Sequence, residues 1–273
     1  MHYDPIKQFL GKIFNRHPFG RKLFYRLLDI LLLRTWHIHK ALRAFRKAQG
    51  TGPDVRVLDA GSGLGQYSWY LARKNPQWQV LGVDVKSEEI ASCEAFAKKE
   101  GLRNLRFEVQ DLTSYRQPKA FDLILSVDVM EHIEEDETVF AHFHESLKPG
   151  GMLLISTPSD QGGSDVHEDG DASFIEEHVR DGYAASEIRE KLARAGFSEI
   201  QTAYSYGKPG SVAWRISMKY PILMLGRSRL FLALLPFYYL ITGLPVLFLN
   251  YLDVRLRHSR GTGLIVKAFK NHR

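Results

Sequence analysis

The densest chemistry in this chain lies between Val57 and Gly65, where Val-Leu-Asp-Ala-Gly-Ser-Gly-Leu-Gly runs an apolar strand into three alternate glycines. The next apolar stretch closes on an acid, Val83-Asp84. Glycines at 61, 63 and 65 permit a sharp turn and let a ligand lie against bare backbone. An acid at the tip of the following strand can accept from both hydroxyls of a ribose. The pattern therefore predicts a nucleoside pocket built from Asp59, Gly61, Gly63, Gly65, Asp84 and the adjoining Val85. A dinucleotide fingerprint, G-x-G-x-x-G, would set its last glycine where this chain has Gln66.

Strands and helices alternate around these residues. Strands are expected over 55–60, 79–84, 105–109, 121–127, 152–157 and 198–206, and helices over 65–74, 87–100, 134–147 and 185–195. Ser87 would cap its helix, with Glu88 and Glu89 in the first turn. Alternation of this kind predicts an α/β fold, a doubly wound and mostly parallel sheet with helices on both faces. Ligands bind beyond the carboxyl ends of such strands, where the glycine turn and Asp84 fall. A Gly/Pro linker over 49–54 sets off a basic N-terminal segment, in which Gly20 to Ala48 reads as one long helix and a shorter one runs from Pro5 to Asn15.

The spacing Asp59-x-Gly61-x-Gly63-x-Gly65 resembles the first motif of class I S-adenosyl-L-methionine (AdoMet) methyltransferases, nearest to their ubiquinone and menaquinone type. Further segments follow in that family's order. Val83-Asp84 looks like its ribose-binding acid, and Val109-Gln-Asp-Leu112 like its adenine-side motif. Phe121 to Asp128 is similar to its fourth strand, and Leu147-Lys-Pro-Gly-Gly151 with Met152 to Thr157 to its last helix turn and fifth strand. The resemblance covers roughly residues 50–206. It implies a seven-stranded Rossmann-like sheet, AdoMet as cofactor, and Asp111, Leu112, Val127 and Asp128 as further cofactor-side residues. Gly263 to Phe269 would then be the seventh strand, antiparallel beside the sixth.

Methyl transfer is an in-line displacement at a sulfonium carbon. The protein aligns acceptor and donor and excludes water, and an oxygen acceptor also needs a base. Glu131 and His132 follow the fourth strand, and His178 precedes the helix at 185; His132, Glu131 and His178 are the candidate bases, with a purely structural role as the alternative for His132 and His178. Tyr183 is a candidate for the acceptor pocket. His167, Glu168, Asp169 and Asp171 have no recognised metal-site spacing, and His37 and His39 diverge on a helix, so no metal is expected.

The chain has 273 residues and one cysteine, Cys93, so no intrachain disulfide can form and a reducing, cytoplasmic setting is expected. Charge is segregated: residues 1–50 are net +9, 51–206 net −13 and 207–273 net +10. An acidic core between basic ends suits an anionic surface. Those ends are interleaved with Leu, Phe and Ile, which favours lipid over nucleic acid. Base-amine methyltransferases of this fold carry Asp/Asn-Pro-Pro-aromatic after strand four, whereas this chain has Ser126-Val-Asp-Val129. Residues 207–262 form an insertion before the last strand, and Leu230 to Leu252 within it contains no charge. A single membrane crossing would strand the seventh strand on the far side. Pro236, Gly243 and Pro245 therefore predict two or three short apolar helices that lie in a membrane interface or cap the substrate cleft. The expected activity is methylation of a hydrophobic small molecule, such as a quinone precursor, phenolic lipid or aryl polyene, preferably at oxygen, on the inner membrane face. A non-catalytic AdoMet- or lipid-binding module is the alternative from another class.

Overall fold

The computed structural model describes residues 18–49, 54–162 and 179–272. Seven strands form one sheet: β1 (Arg56–Ala60), β2 (Gln79–Asp84), β3 (Leu105–Val109), β4 (Phe121–Val127), β5 (Leu147–Pro158), β6 (Glu199–Ser205) and β7 (Gly263–Phe269). Their order is β3-β2-β1-β4-β5-β7-β6. The first five pair in parallel, and β7 runs antiparallel to both β5 and β6. The expected α/β class and seventh strand are both present. Strand order reverses between β1 and β4, which opens a crevice at their carboxyl ends.

The central strands are buried on both faces, so alternate residues enter different cores. Val57, Leu123, Leu125 and Leu154 pack with Trp69, Trp78 and Phe96 from α3 (Gln66–Lys74), the β1–β2 connection and α4 (Ser87–Lys99). Leu58, Ile124, Leu153 and Ile155 pack with Phe140, Phe143 and Leu192 from α5 (Asp136–Ser146) and α6 (Ala185–Arg194). Helix α4 begins at Ser87 itself, with Lys86 in the cap position and no side-chain cap, because Asp84 Oδ1 accepts from the Lys86 amide at 3.0 Å. The Lys-Pro-Gly-Gly run expected to turn out of α5 is the first part of β5, joined to β4 across a register shift.

The single N-terminal helix expected over Gly20 to Ala48 is two helices, α1 (Pro18–Leu31) and α2 (Leu33–Gln49), broken at Leu32. The two segments are anchored to different parts of the fold. Arg21 and Tyr25 of α1 reach the glycine turn, whereas Arg34 and His37 of α2 reach Asp128 and Asp253. One straight rod does not serve both sets of contacts. The helix expected at Pro5 to Asn15 and the acidic stretch Asp165 to Glu177 lie outside the described residues.

The insertion departs most from expectation. It contains α7 (Lys208–Trp214), a π-helical turn (Arg215–Lys219), α8 (Tyr220–Arg227), a 3-10 turn (Arg229–Ala233) and one long helix, α9 (Leu235–Arg255). Helix α9 is unbroken where two or three short helices were expected. Pro236 sits in its first turn, where the missing amide is an orphan anyway, and Pro245 is carried inside. Cross-helix contacts hold it: Tyr238 and Tyr239 donate to the carbonyls of Ile216 and Ser217 at 2.6 and 2.7 Å. At the other end, buried Asp253 accepts from the Gly210 amide at 3.0 Å and bonds His37 Nε2 at 2.9 Å. Pairing 253 with 210 and 239 with 217 makes the arms antiparallel. The insertion is thus a helical hairpin with both ends rooted between β6 and β7.

Candidate functional site

The turn leaving β1 is fixed by its own backbone. The amides of Gly61 and Ser62 donate to Val83 O at 2.9 and 2.8 Å, and the Gly63 amide donates to Asp84 Oδ2 at 2.9 Å. Gly61 and Gly65 have φ of +79° and +74°, conformations that L side chains rarely adopt. A Cβ on Gly61 would lie 2.3 Å from Val129 Cγ2, and one on Gly65 2.9 Å from Phe107 Cζ, so neither of these two positions has room for a side chain. Asp59 is buried beneath it and accepts from Ser68 Oγ at 2.5 Å; desolvation pushes its carboxyl up to about 6. Its place is to tie β1 to α3 under the turn.

Asp84, Val85 and Asp111 stand at the neighbouring strand ends, drawn together where the Gln110 amide donates to Asp84 O at 3.1 Å. Val85 is exposed and Leu112 is buried behind the loop. Asp111 is exposed; its Oδ1 accepts from the Thr113 amide and hydroxyl at 2.9 and 2.8 Å, which holds its carboxyl below the usual range. These residues could hold AdoMet: the bare backbone at 61–65 would take the methionine and sugar, Asp84 the ribose diol, and Asp111 an exocyclic amine.

Helix α1 lies over this turn. Arg21 is buried and donates to Leu64 O at 2.8 Å, Ser92 O at 2.9 Å, Ser92 Oγ at 3.0 Å and Cys93 Sγ at 2.9 Å; Tyr25 donates to the same Leu64 carbonyl. Burial pushes the Cys93 thiol up to about 11, so it is inert while α1 is seated. The sequence showed a basic N-terminal helix here, but gave no sign that these two residues would tie it to the glycine turn.

At the carboxyl end of β4, half-buried Val127 leads to Asp128, whose φ is +52° and whose carboxylate pairs with Arg34. The Arg34 amide donates to Tyr206 Oη at 3.2 Å. Next comes a 3-10 turn, Met130–His132. Its Glu131 is fully buried, accepts from Thr157 Oγ1 at 3.1 Å, and keeps Oε1 buried with no hydrogen-bond partner among the described residues. Burial, and then the Asp128 charge, push this carboxyl up to about 8. His132 is exposed on the same turn, and His178 lies outside the described residues.

Tyr183 goes elsewhere than the acceptor pocket expected for it. It is fully buried, and its hydroxyl bonds Asp136 at 2.6 Å. Arg180 and Lys191 also bind Asp136; although burial opposes it, Lys191, Tyr183 and Arg180 together hold the Asp136 carboxyl below its usual range. The knot fastens the segment after β5 to α5. His37 bonds Asp253 and His39 stacks on Tyr70 at 3.8 Å between ring centres, and no group of three or more candidate metal ligands occurs among the described residues.

The fold and the turn define a nucleoside-binding doubly wound domain, and comparison with known proteins gives its class. Residues 52–196 match the model of a family described as a methyltransferase domain, and the chain belongs to that family. It is 33% identical over 150 residues to phosphoethanolamine N-methyltransferase 1 of Zea mays, an alignment covering 54% of this chain and 29% of that one. It is 33% identical over 107 residues to trans-aconitate 2-methyltransferase of Deinococcus radiodurans, 39% of each chain. The chain thus spans less than a third of the length of the maize relative. Among solved structures, phosphoethanolamine N-methyltransferase 2 of Haemonchus contortus, in complex with phosphomonomethylethanolamine and S-adenosylhomocysteine, superposes with a TM-score of 0.57 at 21% identity, over 85% of this chain and 52% of that one. A sarcosine dimethylglycine methyltransferase from Galdieria sulphuraria gives 0.57 at 18% identity, over 87% and 84%. The shared fold is the class I AdoMet-dependent methyltransferase sheet.

Proposed function

We propose that this protein is an AdoMet-dependent methyltransferase that works at a membrane surface on a hydrophobic or amphiphilic small molecule, with oxygen as the preferred acceptor. AdoMet supplies an already activated methyl group. The protein's part is to hold the nucleoside on the 61–65 turn and Asp84, exclude water beneath α1, and present the acceptor beside the end of β4. An oxygen acceptor must lose a proton. Glu131, with its raised affinity for one, and exposed His132 are adjacent on the turn that follows β4.

The observation that carries the membrane reading is the outer face of α9. Phe237, Leu240, Ile241, Leu244, Phe248 and Tyr251 recur at helical spacing and are all exposed, while Val246, Asn250 and Asp253 on the opposite face are buried. A continuous apolar stripe of this length on a monomer marks a docking surface. The helix is also long and apolar enough to cross a bilayer. Helix α1 has a second such stripe, Phe19, Leu23, Leu27 and Ile30. Liposome flotation against a nucleic-acid gel shift separates this from the competing reading, a nucleic-acid methyltransferase. Flotation with anionic liposomes is expected; retention on RNA without flotation would reverse it.

A further inference from the structure

A second cleft opens on the carboxyl edge of the sheet, where the hairpin leaves β6 and returns to β7. Its volume is about 700 Å³, large enough for a small polar headgroup. Lys208, Ser211 and Arg215 line it from one face of the outgoing arm, and Arg260 and Thr262 from the returning segment. Among the described residues no carboxylate lines it. Three cations from two distant segments thus line one cleft beside the Thr262 hydroxyl, while Ser211 donates to Tyr206 O at 3.0 Å and shapes the wall; such a set of cations recognises a phosphate ester through charge-assisted hydrogen bonds.

Two features of its position decide what such a phosphate would belong to. Tyr206 forms part of the wall, and its hydroxyl accepts from the Arg34 amide, so the cleft adjoins the Arg34–Asp128 pair at the end of β4. It also lies at the root of the hairpin whose long helix, α9, carries the apolar stripe. We propose that this cleft is a phosphate-ester subsite, which takes the head of an anionic amphiphile while its apolar part lies along the hairpin. The assignment rests on the methyltransferase reading only for its purpose; the binding itself is independent of catalysis.

The test uses the full-length protein and a Lys208→Gln/Arg215→Gln/Arg260→Gln variant. A second variant, Arg43→Gln/Arg255→Gln/Arg257→Gln, removes as many exposed cations outside the cleft. Inorganic phosphate, titrated at constant ionic strength and followed by thermal shift, should bind the wild type and the control variant. The cleft variant should bind it on the order of 10- to 100-fold more weakly. A parallel arm compares phosphatidylcholine vesicles with and without phosphatidate. If the cleft variant loses the preference for phosphatidate, the phosphate is a lipid head. If it loses inorganic phosphate but keeps that preference, the ligand is a soluble phosphate ester. Equal phosphate affinity in wild type and cleft variant, or none in either, overturns the proposal. AdoMet calorimetry on each variant checks the fold, and binding to pure phosphatidylcholine reports on hairpin docking alone. Failure of either of those readings is therefore distinguishable from failure of the cleft. Should the triple variant not fold, Arg260→Gln alone, on an exposed loop, carries the same test with a smaller loss.

Discussion

Replacing Leu240, Ile241 and Leu244 together by Ser should detach the protein from membranes without unfolding it. The three side chains are 78, 76 and 78% exposed, so about three-quarters of each remains to be buried by lipid. Full burial of such a side chain is worth about 1.5–3 kcal/mol, which leaves roughly 1–2 kcal/mol each and about 3–6 kcal/mol in all. Vesicle partitioning should therefore weaken by about two to four orders of magnitude. Because these positions face away from α7 and the sheet, the melting temperature should move by no more than a few degrees, as for other surface changes. AdoMet affinity should be unchanged. Co-sedimentation with phosphatidylcholine vesicles over a range of lipid concentrations measures the partition coefficient, and differential scanning fluorimetry checks the fold. Partitioning within threefold of wild type would refute the docking role of α9. A collapse in melting temperature would show instead that the stripe packs against protein.

Arg21→Ala should release α1 from the glycine turn, weakening AdoMet binding at least about tenfold through loss of several charge-assisted hydrogen bonds, and Cys93 should then react with iodoacetamide faster than in the wild type; an unchanged alkylation rate would mean that α1 is held by other contacts. Glu131 binds its proton more tightly folded than unfolded, so stability falls as pH rises from its ordinary value of 4.5 through about 8. His39, lowered to about 4 by burial, acts oppositely below 6.5, so the slope is best read between pH 6.5 and 8; melting temperature should decline there in the wild type and flatten in Glu131→Gln. Gly61→Ala should cost about 1–3 kcal/mol from its left-handed φ and its clash with Val129, and a Val129→Ala partner should recover only the steric part in urea unfolding.

The cofactor half of the site was legible because it is local. Glycines at 61, 63 and 65 and the acid at 84 are dictated by backbone conformation and strand-end position, and both leave marks in a single stretch of sequence. The acceptor half was not, because long-range pairing makes it. Nothing near Tyr183 announced that its hydroxyl would be spent on Asp136, and nothing near Arg34 announced Asp128. Glu131 and His132 are neighbours with opposite fates, one buried and one exposed, set by how a single 3-10 turn seats on β5. The hairpin was half legible. Its apolarity and the pairing of β6 with β7 required both ends on one side. Pro245 suggested a break that the tyrosine hydroxyls and buried Asp253 override, since tertiary contacts outweigh a local helix penalty. The break at Leu32 is the reverse case, a helical pattern interrupted by competing anchors.

Calorimetric titration of AdoMet into the wild type and an Asp84→Ala variant is the most direct examination of the nucleoside site. One molecule should bind per chain, S-adenosylhomocysteine should compete, and the variant should bind about 100-fold more weakly, the loss of hydrogen bonds from both ribose hydroxyls to a charged acceptor. Equal affinity in the two proteins, or no binding to the wild type, would contradict the placement of AdoMet on this turn.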